Sequence, residues 1–459
     1  MGHGLKYFFG GGIMTYDEIA DFVLGPIDVP DSALEMSATL LLDTIGVAAG
    51  AASMEAGRIA RDHAVRFQAA SDPSDAATLL FDGRKASITG AAFALATQID
   101  NLDGHDGYNP TKGHIGCAVV PALCAFAERM PELSARAALE AFAMSYEVSA
   151  RAAISLHASV SDYHTSGAWN ALGVAALGCR LRGDGPEVLR QALGIAEYHG
   201  PRSQMMREIA TPTMLHDGSG MGALVGTMAV LMAEDGFTGA PAITVEAEEV
   251  SAHWADLGQL WTVELNYIKP YPICRWAHAA IDALGGLLKA HQLGEEDIER
   301  IDVRTFAESA ELFAGLPETT SQAQYSLGFA LATRLVHGHI GPEHISGDGL
   351  KDKAVAAALK KINVCEEPRH SQRFPIGRWS DVTLTLKDGR SFHSGDVHAR
   401  GGPEAPMELA EVEAKFFNFC AALPQARSKA MWQARARLLE PEAKFLEILS
   451  LLFDAPSVR

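Results

Sequence analysis

From Tyr16 to about Tyr267 apolar residues recur at helical spacing almost without a break, and few folds accommodate so long a run. Pro30-Asp31 followed by Glu35 predicts a helix start with an acidic first turn, and Leu40, Leu41, Ile45 and Val47 keep that helix buried as far as Gly50. A second helix is predicted from Glu55 to Phe67. Small residues then crowd the segments 86–96, 118–127, 135–153, 168–177 and 218–232. Alanine and glycine let helix axes approach closely, and no repeat at fixed period appears, so the pattern predicts a compact all-helical bundle and excludes a solenoid.

Around Arg300 the texture changes. Residues 299–306 alternate as a strand, and residues 381–393 read as a hairpin turning at Asp388-Gly389. Helical stretches at 325–336 and 350–361 lie between them. After Gly401-Gly402-Pro403 helical spacing resumes, at 408–423 and 428–453. The predicted architecture is mostly α: a large all-helical domain formed by residues 14–267 and 404–459, with an inserted α+β lid domain over 268–403. At 459 residues the chain is long enough for two such units. Residues 1–13 are expected to be a flexible extension, with Met14 as an alternative start.

Charge narrows the partners. A formal net charge of -19 argues against nucleic acid and against an anionic membrane surface, while a local group of cations could still bind a small anion. No uncharged apolar run reaches the ~18 residues of a membrane span. The six cysteines show no C-x-x-C spacing, and the opening residues lack a signal-peptide pattern. A reducing, cytoplasmic setting is expected.

The densest chemistry lies in Lys269-Pro-Tyr-Pro-Ile-Cys-Arg-Trp-Ala-His278. Pro270 and Pro272 hold the backbone extended, so Lys269 precedes, and Cys274, Arg275 and His278 occupy, the start of a helix. That end attracts anions, and a carboxylate site is one reading; a solvated linker is the other. Residues 100–114 form a Gly- and Asp-rich loop in which Asp100, Asp103, His105, Asp106 and His114 could be a catalytic loop, a metal site or a solvated turn. His164-Thr-Ser-Gly167 sits at a helix start, with Thr165 and Ser166 as candidate caps. Residues 213–220 place Thr213 and His216 before a glycine-rich turn that lacks the P-loop ending. His337-Gly-His339 reads as a surface loop, and no Gly-x-Ser-x-Gly elbow is present.

Taken together these residues resemble the MmgE/PrpD family. The resemblance rests on Leu42-Asp43-Thr-Ile-Gly46, the 100–114 loop followed by Val119-Val-Pro-Ala-Leu, His164-Thr-Ser-Gly, the Lys269 to His278 stretch and Gln324-Tyr-Ser-Leu, in that order. It implies the helical domain with an inserted α+β lid, a homodimer, no metal and no cofactor. It also implies chemistry next to a carboxylate, with Asp100, His114, His164, Lys269 and His278 as catalytic residues. His164 or His114 would be the base, Lys269 and Arg275 would hold carboxylate oxygens, and Asp100 would orient a histidine or act as an acid. Lys112, His105, Thr213, His216, Cys274 and Phe329 are expected with Arg275 around the substrate. Two departures stand out: Thr213 replaces a lysine, and Phe329 replaces a tyrosine. The function implied is a cofactor-independent lyase of the dehydratase type acting on a small hydroxy di- or tricarboxylate. Epimerisation, decarboxylation and an inactive dicarboxylate-binding dimer are the alternatives.

Overall fold

A computed structural model describes residues 14–456. The expected extension, residues 1–13, lies outside the described residues. The first half contains helices α1 (Tyr16–Leu24), α2 (Asp31–Ala51), α3 (Glu55–Phe67), α4 (Ile88–Asp100), α5 (Gly116–Ala127), α6 (Ala135–Ser159), α7 (Gly167–Arg182), α8 (Pro186–His199) and α9 (Ser219–Glu234). Helix α7 is apolar on every side and nearly all of it is buried, as a central helix must be. It packs against α5, α6, α8 and α9. By length and hydropathy α2 could cross a bilayer, but 83% of its apolar window is buried inside the protein, so it is a core helix here.

The expectation of purely helical structure before residue 267 needs correction. Strands β1 (Ala76–Thr78) and β2 (Lys85–Ser87) pair with each other, and β3 (Gly107–Tyr108) pairs antiparallel with β4 (Asn266–Tyr267). The second ladder matters most, because it ties the 100–114 loop to the chain that leads into Lys269.

Beyond β4 come α10 (His278–His291), β5 (Ile298–Thr305), α11 (Leu327–His337), α12 (Lys353–Leu359), β6 (Ile362–Glu366), β7 (Trp379–Leu386), β8 (Ser391–His393) and β9 (Val397–His398). The sheet order is β6-β5-β7-β8, with β9 also on β7. Strand β6 runs parallel to β5, and the other pairs are antiparallel. The Asp388-Gly389 turn is present, with Gly389 at φ 88° and the Asp388 carboxylate accepting the Arg390 N–H at 3.0 Å. Helix α11 starts two residues later than the pattern predicts, because the Ser326 hydroxyl caps it by accepting the Phe329 N–H.

The C-terminal helices α13 (Leu409–Phe419) and α14 (Gln425–Leu438) return to α2. The Lys415 ammonium is buried against the Asp43 carboxylate at 2.7 Å and the Gly104 carbonyl at 2.7 Å, so one side chain joins α13, α2 and the 100–114 loop. The predicted continuous helix over 428–453 is broken at Glu440-Pro441, since proline disfavours helix in the residue before it.

Candidate active site

Helix α4 ends at Asp100, and the chain then folds through a loop whose polar side chains turn inward. Asp100, Asp103, His105, Asp106 and His114 are all buried. The fold permits this because the loop carries glycine where neighbours press: a Cβ on Gly107 would lie 2.3 Å from the Tyr267 hydroxyl and 2.9 Å from His114 Nδ1. Asp103 and Lys112 adopt left-handed backbone, as does His216 in the facing loop, with φ of 53°, 54° and 44°. Non-glycine residues seldom adopt this conformation unless surrounding structure enforces it, and such strain concentrates at functional sites.

Lys269 comes off β4 and is 1% exposed. Its ammonium contacts the Asp103 carboxylate and donates to the Asp103 carbonyl at 3.0 Å. Burial pushes both partners toward neutrality, raising the carboxyl and pulling the ammonium down. For Lys269 the contact with Asp103 wins and holds it above its usual value, so the two form an ion pair.

His114 donates from Nδ1 to the Asp106 carbonyl at 2.6 Å, because a carbonyl can only accept. That leaves the Nε2 lone pair facing Asp217 Oδ2 at 3.6 Å. Burial, with Lys269 next, lowers the His114 pKa to about 3, so the free protein holds it neutral. Ser166 accepts the His114 backbone N–H at 2.9 Å and donates to Asp217 Oδ1 at 2.6 Å. The expected capping role of Ser166 is therefore not realised: its hydroxyl is taken by Asp217, and α7 begins without a side-chain cap.

Asp100 accepts the Ser219 N–H at 3.1 Å, placing its carboxyl on the N-terminus of α9. Its other oxygen lies 3.7 Å from His105 Nε2. Burial and then the nearby Asp217 push Asp100 well above the usual carboxyl range. Asp106 accepts from the Tyr146 hydroxyl at 3.0 Å, and burial raises it to about 7. Glu208 is likewise raised by burial and Asp217, and accepts from the Tyr325 phenol. Burial thus favours the neutral form of Asp100, Asp106 and Glu208.

The remaining expected residues scatter by role. His105 packs edge-on against His114, ring centroids 4.4 Å apart, and neither of its nitrogens makes a hydrogen bond, the Asp100 carboxyl standing off at 3.7 Å. His216 faces Ser321 at 3.5 Å and Tyr325 at 5.8 Å between ring centroids. Arg275 lies over the Tyr267 ring at 4.1 Å and Lys112 over Tyr163 at 4.2 Å. His164 has a buried imidazole, and its backbone N–H meets His157 Nε2 at 3.3 Å. His278 is fully buried at the start of α10, where Nε2 donates to the Ile273 carbonyl at 2.9 Å. Burial pushes the Cys274 thiol up to about 12, and the Phe329 ring is buried on α11. Thr213 faces solvent, and its hydroxyl accepts the Leu215 N–H at 3.3 Å, so it closes its own turn instead of joining the cluster.

Asp103, one of the candidate residues of the 100–114 loop, pairs with Lys269. Ser166, Glu208, Asp217, Tyr267 and Tyr325, to which the sequence assigns no catalytic or binding role, meet the expected residues here. Asp217 had one local signal, its place beside His216. Asp100, His105 and Cys117, or Asp103, His105 and His114, bring three possible metal-ligand atoms within 4.8 Å of one another. Lys269 already occupies Asp103, and Ser219 takes one oxygen of Asp100. His337 and His339 form a separate cluster at the end of α11 with His344, paired to Asp352 and Glu343.

Residues 17–257 match the MmgE/PrpD N-terminal domain, and residues 271–440 match the MmgE/PrpD C-terminal domain. The chain belongs to the MmgE/PrpD family. The two matches meet between residues 257 and 271, where β4 delivers Lys269 to the loop that starts at Asp100. No individually curated protein matches the chain.

Proposed function

We propose that this MmgE/PrpD protein is a dehydratase-type lyase that needs no cofactor, removing a proton next to a carboxylate and then water from a small hydroxy di- or tricarboxylate. The observation that carries this reading is the buried group of Lys269, Asp103, His114 and Asp217. It sets a cation and a neutral imidazole together in a site closed to water. Abstracting such a proton builds charge on the adjoining carboxylate, and a fixed ammonium stabilises that charge in a low-dielectric setting. His114 is the base: its Nε2 lone pair is free, and a bound carboxylate raises its pKa from about 3 toward the working range. Lys269 and Arg275 hold carboxylate oxygens. The α-proton passes to His114 Nε2. Asp100, whose neutral form burial favours, gives its own proton to the departing hydroxide, so that water leaves and a carbon-carbon double bond forms. Return of the proton from His114 to Asp100 resets the site.

In this reading residues 268–403 act as a lid over the helical domain formed by residues 14–267 and 404–456. The hydrogen bonds from Gln324 Nε2 to the Asn101 carbonyl at 2.8 Å and from Tyr325 to Glu208 are the latch between them. The chain works as a homodimer. Epimerisation is the second reading, favoured by Phe329, which brings no phenol where the resemblance places a tyrosine. Incubation with candidate hydroxy-polycarboxylates in heavy water, followed by NMR, separates the two. Loss of substrate with a new alkene signal supports the lyase. Deuterium at the α-carbon with inverted configuration supports the epimerase, and full activity in His114→Asn or Lys269→Ala would refute the site assignment.

A further inference from the structure

Three cations lack a carboxylate of their own, and two of them meet at Ala399, whose carbonyl accepts from Arg275 and whose N–H donates to the Arg378 carbonyl at 3.0 Å. Arg275 is 4% exposed, and its guanidinium donates to the Ala399 carbonyl at 3.0 Å and to the Arg400 carbonyl. Arg378 is 2% exposed and donates to the Pro375 carbonyl at 2.7 Å. In both, the Nε–H is buried without an acceptor. Lys112 is half-buried, its ammonium resting on the Tyr163 ring. Among the described residues no carboxylate lies within 4.0 Å of any of the three. The carboxylates that act on them from beyond 4.0 Å are Glu308, Glu404 and Asp282, while Tyr163, Tyr267 and Cys274, all raised by burial, are neutral neighbours. Asp282 is occupied by Arg400 and Tyr271, and Glu404 pairs with His398.

A buried guanidinium is normally paired with a carboxylate or phosphate, because carbonyls alone do not offset its desolvation. Two guanidiniums that repel each other, each with an unused donor, make a poor structural device and a good receptor for a planar, bidentate anion. The position adds a second argument. Tyr267 carries Arg275 on its face at 4.1 Å, while His114 meets its edge with ring centroids 6.3 Å apart. Arg275 therefore sits one tyrosine away from the candidate base, and Arg378 is tied to it through Ala399.

We propose that Arg378, with Lys112 and Arg275, forms an anion subsite that takes the substrate carboxylate remote from Lys269. This rests on the reading above that the substrate is a small polycarboxylate. Arg378 thereby supplies the positive charge that Thr213, which faces solvent, does not. The subsite selects for two carboxylates on one carbon skeleton.

The test is calorimetric titration of the full chain with succinate, tricarballylate, butyrate and inorganic phosphate, beside the heavy-water assay. The wild-type protein is expected to bind succinate or tricarballylate about tenfold or more tighter than butyrate. Arg378→Gln removes that preference and leaves butyrate affinity within about twofold, while Arg378→Lys restores part of it. Lys112→Met gives the same loss at a half-buried position, with the melting temperature read alongside. Equal affinity for succinate and butyrate in the wild type, phosphate bound more tightly than either polycarboxylate, or an unchanged preference in both Arg378→Gln and Lys112→Met would each overturn the subsite. A kept preference with no α-proton chemistry would instead remove the lyase reading and leave the subsite standing.

Discussion

The ion pair between Lys269 and Asp103 is the residue on which both stability and chemistry turn. Taking away one partner leaves the other charge buried and unpaired, at a cost of about 3 kcal/mol. Lys269→Met is therefore expected to lower unfolding free energy by about that amount in urea titrations, and Lys269→Met with Asp103→Leu to recover part of it. Activity is lost in both, since neither supplies the cation. Asp106 makes a separate prediction about pH. Its folded value of about 7 lies above the ordinary 3.8, so its neutral form contributes stability that is fully present below pH 3.8 and is lost as pH rises through 7. Asp106→Asn removes that loss while keeping an acceptor for Tyr146. In thermal melts between pH 4 and 8 the wild type is expected to lose stability relative to the variant as pH rises, the histidine terms being common to both. His114 and His216, both lowered to about 3, act at the other end. Their neutral forms contribute stability present above pH 6.5 and lost as pH falls toward 3.

At the scale of elements, close helix packing sets what can be changed. A Cβ on Gly226 in α9 would lie 2.5 Å from the Ala171 carbonyl in α7, which is backbone and cannot turn aside. Gly226→Ala is expected to destabilise by about 2 kcal/mol, although alanine favours a helix by about 1. Gly286 in α10 has nothing within 4 Å of such a Cβ, so Gly286→Ala is expected to stabilise by about 0.5 kcal/mol or more. Melting temperatures of the two variants decide the matter. The same crowding explains which elements were legible. Helix α3 runs from Glu55 to Phe67 as the sequence predicts, because apolar spacing and flanking breaks are local signals. Strand β6 was not legible, since its pairing with β5 depends on a partner 61 positions away in register (Ile301 with Ile362) and its own side chains are largely exposed. The site divides in the same way. Lys269 and the 100–114 loop announce themselves by density of chemistry. Arg378 lies in a loop with no motif of its own and gains meaning only when the start of β7 pairs its carbonyl with the N–H of Ala399, the residue whose carbonyl accepts from Arg275.

For the whole molecule, the surface beside the site bears on assembly. Met206, Met214, Leu215 and Met221 expose between 43% and 78% of their surface within sixteen consecutive positions that also contain the buried His216 and Asp217. Large apolar side chains grouped in this way mark an interaction surface. A second copy is the occupant in the homodimer proposed here, and a two-fold interface buries the same patch on both chains. Light scattering behind size exclusion is then expected to give twice the 48.9 kDa chain mass. Leu215 is the most exposed of the four at 78% and immediately precedes the strained His216. Leu215→Glu is expected to shift the protein toward monomer. It should also lower activity, because releasing this loop frees His216 and Asp217 from the backbone conformation that holds them against Ser321 and Ser166. Dilution of the wild type would then reduce specific activity in step with the monomer fraction. A dimer that survives both Leu215→Glu and Met221→Glu with full activity would place the interface on another face.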